Sequence, residues 1–178
     1  MLDELGIEAA HVYGTSMGGR VAQMLAAEHP LRVRRLVLAC SSPGGRHASE
    51  RSQAVRRSLA DPSASARRER LLSLMYTDAW LVPGRCSNLL GDPTMTPDAT
   101  RRHLRVSHRH DAWDLLPRIT APTLLLHGTD DEMVPVANSD LLASRIPDTA
   151  VWLRPGGRHG FFDEFAEEVN PLVRDFLS

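Results

Sequence analysis

Apolar positions along the chain alternate between short continuous runs and longer stretches in which they recur every three or four residues. Ala10 to Tyr13, Val33 to Ala39, Thr123 to His127 and Ala150 to Leu153 are runs of strand length. Apolar residues in direct succession, as in Leu36-Val37-Leu38-Ala39, predict a parallel strand buried on both faces. After the first run, Val21, Met24, Leu25 and Ala27 recur at helical spacing, and the helix is expected to stop near His29-Pro30 because proline cannot continue it. Strand, helix, strand at this spacing predicts a right-handed crossover unit. Further helices are expected over Val136 to Arg145 and over Phe161 to Leu177, the latter bent at Pro171. Leu2, Leu5 and Ile7 predict the end of a helix closed by Gly6. The sum is an α/β fold with a parallel sheet of about four strands.

The alternation stops at the loop Ser41 to Arg46. Helices are then expected over Ser49 to Leu59, Ser65 to Tyr76 and Pro97 to His110, with a stretch punctuated by proline and glycine from Pro83 to Pro97. Asp111 to Ile119 leads back to the strands. The chain therefore divides into a first core part (1–42), a helical insertion (43–117) and a second core part (118–178). Charge supports the division. The 21 basic residues are all arginine, and from Arg46 to Arg109 12 arginines face six acids, about +6, which leaves about −7 for the rest of a chain whose net charge is −1.

A length of 178 residues with 42% hydrophobic residues suits one soluble domain with a real core. No nucleic-acid footprint shows, and no apolar run is long enough to span a membrane. Met1 to Leu5 lacks the basic start and apolar core of a secretion signal, so the expected location is the cytoplasm. Cys40 and Cys86 are too few for a disulfide framework or a zinc knuckle and are expected to be reduced thiols, Cys40 in the core.

Candidate chemistry centres on Gly14-Thr15-Ser16-Met17-Gly18 between the first strand and its helix. Gly-x-Ser-x-Gly in that context is a nucleophile elbow: a tight turn lifts the Ser16 hydroxyl off the sheet and points the Met17 N–H at the same space, near the positive end of the helix. Gly14 and Gly18 are expected where side chains would make strand and helix collide. Downstream, Gly128-Thr129-Asp130-Asp131-Glu132-Met133-Val134-Pro135 leaves the third strand, and Gly156-Gly157-Arg158-His159-Gly160-Phe161 follows the fourth.

These segments together resemble the α/β-hydrolase superfamily, in particular its small bacterial esterase, enol-lactonase and haloperoxidase-like members. The resemblance implies that the insertion is a cap over the active site. It places the acid of a catalytic triad at the D of G-x-x-D-x-x-V-P, here Asp131, with Asp130 as runner-up. It makes His159 the general base, in the order Ser, Asp, His. His11, His29, His47, His103, His108, His110 and His127 match no such role. No metal is expected at His103, His108 and His110, which have no carboxylate or cysteine at ligand spacing, and no cofactor is implied. The cap arginines read as a solvated face, with an anionic acyl substrate or a phosphopantetheine carrier as the alternative. Trp80, Trp113 and Met75 read as cap core.

Members of the superfamily normally carry four strands before the elbow strand and a loop that supplies a second oxyanion donor. Here the elbow strand begins about ten residues from Met1, so the fold is expected to be partial, N-terminally truncated, with an exposed apolar edge covered by self-association or by a partner chain. Loss of one oxyanion donor costs on the order of 10²- to 10³-fold in turnover. The leading expectation is a serine hydrolase of small carboxylic esters, thioesters or lactones acting through an acyl-enzyme. The alternatives are a catalytically impaired remnant or interaction subunit, and an enzyme of the same fold with other chemistry: perhydrolysis, C–C cleavage or a biosynthetic cyclisation.

Overall fold

A computed structural model describes residues 2–87, 89–90 and 94–178 of the chain. Asn88 and Gly91 to Pro93, within the punctuated stretch, lie outside the described residues, as does Met1. Four strands, β1 (Ala10–Thr15), β2 (Val33–Ala39), β3 (Thr123–Gly128) and β4 (Thr149–Arg154), form one parallel sheet in the order β1-β2-β3-β4. Thr15 lies level with Ala39, Ala39 with Leu126, and Gly128 with Arg154. All four strands therefore end at the same rim, where loops of a parallel sheet gather functional groups.

Alternate side chains of the central strands enter two different cores. Leu36, Leu38 and Leu125 pack with Ala22 and Ala26 of helix α1 (Met17–Glu28), with Leu142 of α5 (Ala137–Ala143), and with Leu116 and Ile119. Val37, Ala39, Leu124 and Leu126 pack on the opposite face against Phe161, Val169 and Val173. Burial on both sides is the reason these runs are apolar without interruption. Between β2 and β3 stand α2 (Gln53–Leu59), α3 (Ala64–Met75) and α4 (Pro97–Arg109). Each starts at a hydroxyl residue, Ser52, Ser63 and Thr96, whose side chain accepts the N–H three residues on. The whole of α4 is exposed or nearly so, whereas Val55, Leu74 and Met75 anchor α2 and α3.

Three local expectations need correction. Leu2 to Gly6 forms turns rather than a helix, since this short segment has almost no apolar surface to bury and Leu5 is largely exposed. The helix expected from Ser49 starts at Gln53, because the Ser49 backbone is instead held by the Asn138 side chain of α5: its N–H donates to Oδ1 at 3.0 Å and its carbonyl accepts from Nδ2 at 2.9 Å. The closing segment breaks at Phe165 into α6 (Phe161–Glu164) and α7 (Ala166–Leu177), while Pro171 sits inside α7. Among the described residues no helix is long and apolar enough to cross a membrane.

Candidate active site

Ser16 stands between β1 and α1 with φ 50° and ψ −115°, a left-handed conformation that side-chain-bearing residues rarely adopt. The turn is held from outside: the Ser16 N–H donates to the Ala39 carbonyl at 2.8 Å, and the Ser41 hydroxyl donates to the Ser16 carbonyl at 3.0 Å. A Cβ at Gly14 would lie 2.5 Å from the Gly18 carbonyl oxygen, as the elbow requires. The second close approach falls one residue later than expected. Space is open at Gly18, whereas a Cβ at Gly19 would meet Ser41 at 2.6 Å. Gly18 enters the elbow through its backbone; the helix-to-loop contact is made at Gly19. Met17 heads α1 and contributes one of the N–H groups that the first turn of a helix leaves without an intrahelical acceptor.

The structure brings Ser16, His159 and Asp131 together. His159 Nε2 lies 3.0 Å from Ser16 Oγ, and Nδ1 lies 2.7 Å from Asp131 Oδ2. A carboxylate only accepts, so Nδ1 carries the proton and Nε2 is the acceptor for the serine hydroxyl. Both His159 and Asp131 are 4% exposed. Asp130, the runner-up, is exposed and accepts from Thr129 Oγ1, and Glu132 pairs with Arg70 of α3 at 2.8 Å. A Cβ at Gly128 would lie 2.1 Å from the Gly157 carbonyl oxygen, so glycine there lets the acid loop and the histidine loop run backbone to backbone.

Asp131 is over-determined. Its Oδ1 accepts the N–H groups of Met133 and Val134 at 2.8 and 2.9 Å, and its Oδ2 faces His127 Nε2 at 3.3 Å as well as His159. Burial opposes its ionisation, but His159 beside it and the hydrogen bonds from the two histidines outweigh that, and its pKa falls to about 2. His127 is thus a residue that sequence reasoning left without a role. Its Nε2 lies 2.8 Å from the Val134 carbonyl and its Nδ1 lies 2.7 Å from Ser139 Oγ. Since the carbonyl can only accept, Nε2 bears the hydrogen and Ser139 donates to Nδ1. The pattern that would have revealed it is spatial: a fully buried histidine at a strand end, four residues before the acid.

The histidine loop is fastened to the helical insertion. The last carbonyls of α3, which have no intrahelical donor, are met by this loop: His159 N–H donates to Leu74 O at 3.1 Å and Gly160 N–H to Met75 O at 2.7 Å. Arg158 donates to the carbonyls of Ser73 and Tyr76 at 2.9 and 2.7 Å. Tyr76, fully buried and stacked on Trp80, donates to Asp163 at 2.7 Å, and Thr77 is bound by Glu164. Trp113 stacks on His47.

Cys40 lies just beyond the end of β2, with φ 44°, and is fully buried. Burial and the neighbouring Asp131 push its thiol well up, so it stays protonated. Its sulfur, an Asp131 oxygen and a His159 nitrogen lie within 4.8 Å of one another and are the one group among the described residues with metal-ligand chemistry. The 2.7 Å hydrogen bond already joining two of them suits acid–base work better than a metal. His103, His108 and His110 form no such group.

Comparison with known proteins follows the same lines. Residues 1–166 match the family described as alpha/beta hydrolase fold. The chain is 32% identical over 192 aligned residues to a 2-hydroxy-6-oxo-6-phenylhexa-2,4-dienoate hydrolase of Burkholderia cepacia, covering 100% of this chain and 66% of that protein. It is 26% identical to the serine hydrolase BPHL of Mus musculus, covering 99% of this chain and 57% of that protein. The solved structure of a meta-cleavage product hydrolase from Pseudomonas fluorescens superposes with a TM-score of 0.79 at 24% identity, over 98% of this chain and 66% of that one. The chain thus spans 66% or less of the length of these relatives.

Proposed function

From the premise that the chain belongs to the α/β-hydrolase family, we propose that it carries the nucleophilic apparatus of a serine hydrolase acting on a small carboxylic ester, thioester or lactone. The observation that carries the reading is the line Ser16–His159–Asp131, with contacts of 3.0 and 2.7 Å and the imidazole tautomer set by the carboxylate. In this reading Ser16 Oγ adds to the acyl carbon while its proton passes to His159 Nε2. The oxyanion forms opposite the Met17 N–H at the helix N-terminus. Collapse expels the leaving group, which takes the proton back from His159; a water molecule, deprotonated by the same nitrogen, then releases the acid. Asp131 stays ionised throughout and stabilises the imidazolium. The helices α2 to α4, within residues 43–117, are read as the lid over this site.

A fluorophosphonate probe tests the reading. Wild type is expected to be labelled and Ser16→Ala to be silent, with both folded by circular dichroism. A folded wild type that takes no label would sink the proposal and leave the non-catalytic interaction subunit in its place.

The name of the Burkholderia cepacia relative favours a second substrate class. Hydrolysis of a 6-oxo-dienoate breaks a carbon–carbon bond, so the atom that His159 reprotonates would be carbon instead of oxygen. Parallel assays on a p-nitrophenyl ester and on a 2-hydroxy-6-oxo-dienoate separate the two, since an enzyme shaped for the carbon leaving group turns over the dienoate faster. The position of β1 at the edge of the sheet supports the further reading that its free side is covered by a second copy or another polypeptide. A sharply monomeric species in sedimentation would contradict it.

A further inference from the structure

The feature that the proposed chemistry leaves unused is the arginine excess of the helical insertion. Part of it converges on one cavity of about 720 Å³ between α1, the turn at Gly44 and Gly45, α2 and the end of α4. Arg20, Arg46, Arg51 and Arg56 line it, with Glu50 as the acid among its lining residues. Glu50 is already engaged by Arg56 at 2.8 Å. Neither Ser16 nor His159 contributes to the lining, so the cavity is argued separately from the hydrolytic reading.

Two groups in it are left incomplete. Arg20 is half-buried, and its guanidinium is held by the Ser107 carbonyl, by Ser107 Oγ at 2.9 Å and by Ser42 Oγ at 2.9 Å. All are neutral acceptors, and no carboxylate pairs with it among the described residues. Burial, and after it the proximity of Arg51, act against its charge, and Glu50 offsets them only in part. His110, which also lines the cavity, has a buried Nε2 with no hydrogen-bond partner. A half-buried cation whose one neighbouring acid, Glu50, is already paired with Arg56 gains from an anionic acceptor. The three serine contacts hold the Arg20 fork in place in advance, which lowers the ordering cost of a ligand.

We propose that this cavity binds a small molecule through an oxyanion group, carboxylate or phosphate, placed against Arg20 and Arg51, with the His110 ring at its wall. The volume exceeds that of a bare ion and suits a small organic molecule bearing the anion.

Calorimetric titration of the full chain with inorganic phosphate and with succinate, at constant ionic strength set with chloride, tests this. Saturable binding is expected with at least one probe, weakened about tenfold or more by Arg51→Met through loss of a charge-assisted contact. Binding should move the His110 ring resonances in the wild type. Arg174→Gln, in α7 and outside the cavity, should bind as wild type does. Stronger binding of phosphate points to a phosphorylated ligand, and stronger binding of succinate to a carboxylate. Arg20→Met is the more severe variant because Arg20 also ties Ser42 to Ser107, so Arg51→Met carries the test where Arg20→Met does not fold. A response linear in probe, or equal binding by wild type and Arg51→Met, overturns the proposal.

Discussion

At the rim of the sheet the Asp131 and His159 side chains and the Ser16 backbone are each held from more than one side, whereas the helices between β2 and β3 carry most of their charge at the surface. Asp131 is gripped by two backbone N–H groups and two imidazoles in the interior. Asp98 of α4, by contrast, meets Arg101 and Arg102 in solvent at 3.2 and 2.7 Å. Exposed pairs of that kind contribute about 0–1 kcal/mol, so the insertion depends for its placement on a few anchored points. The C-terminal end of α3 is the main one, and it is also where the histidine loop is fastened. The fastened rim and the surface charges of the insertion therefore meet at this joint, with Ser49–Asn138 and Arg20–Ser107 as further ties.

Substitutions along that gradient should give effects of falling size. Asp131→Asn keeps the shape but removes the charge and misdirects the imidazole tautomer, so turnover or probe labelling should fall by about 10³- to 10⁴-fold with the fold intact. His127→Leu takes a donor from the buried carboxylate and strands the Ser139 hydroxyl. A loss of about 1–3 kcal/mol in chemical denaturation and a roughly tenfold slower labelling rate are expected, with His127→Gln recovering much of the rate because its amide also donates. Equal rates in wild type and His127→Leu would show that the rim does not need its second histidine. Arg158→Gln uncaps the α3 carbonyls without altering the Ser16–His159–Asp131 line. Labelling should slow a few-fold, and the melting temperature should drop by about 2–4 °C for each kcal/mol lost. A larger effect from Arg158→Gln than from His127→Leu would invert the gradient.

The smallest effect concerns acid. Burial, with Arg20 adding to it, lowers the His110 pKa from 6.5 to about 4. The folded chain therefore holds this imidazole neutral while the unfolded chain takes up a proton below pH 6.5, so this contribution to stability is present above that pH and declines as pH falls toward 4. His110→Phe should lose less melting temperature than wild type between neutral pH and that range, by about 2–4 °C for each kcal/mol of that contribution. The comparison needs a buffer free of phosphate and carboxylates, which would occupy the neighbouring cavity if the anion proposal holds.

What was legible in the sequence was what local spacing encodes. The strand over Val33–Ala39 shows itself as an uninterrupted apolar run because both faces are covered. The serine turn shows itself because Gly14 cannot carry a side chain. Gly18 and Gly19 are adjacent glycines, and only the position of Ser41, a residue from another strand end, decides which of them is crowded. His127 looked like a strand residue, since its partners Val134, Ser139 and Asp131 come from the loop and helix that follow. Arg158 carries no local signal of its role, since the carbonyls it meets lie more than 80 residues earlier in the chain. Contacts between distant segments leave no periodic trace, and these are the contacts that aim the site.

The left-handed backbone at Ser16 has one more consequence. A side chain there costs of order 1–3 kcal/mol that glycine would not. Random mutagenesis selected only for heat resistance should therefore enrich glycine at position 16, and the hardiest clones recovered would be ones with no hydroxyl left to react.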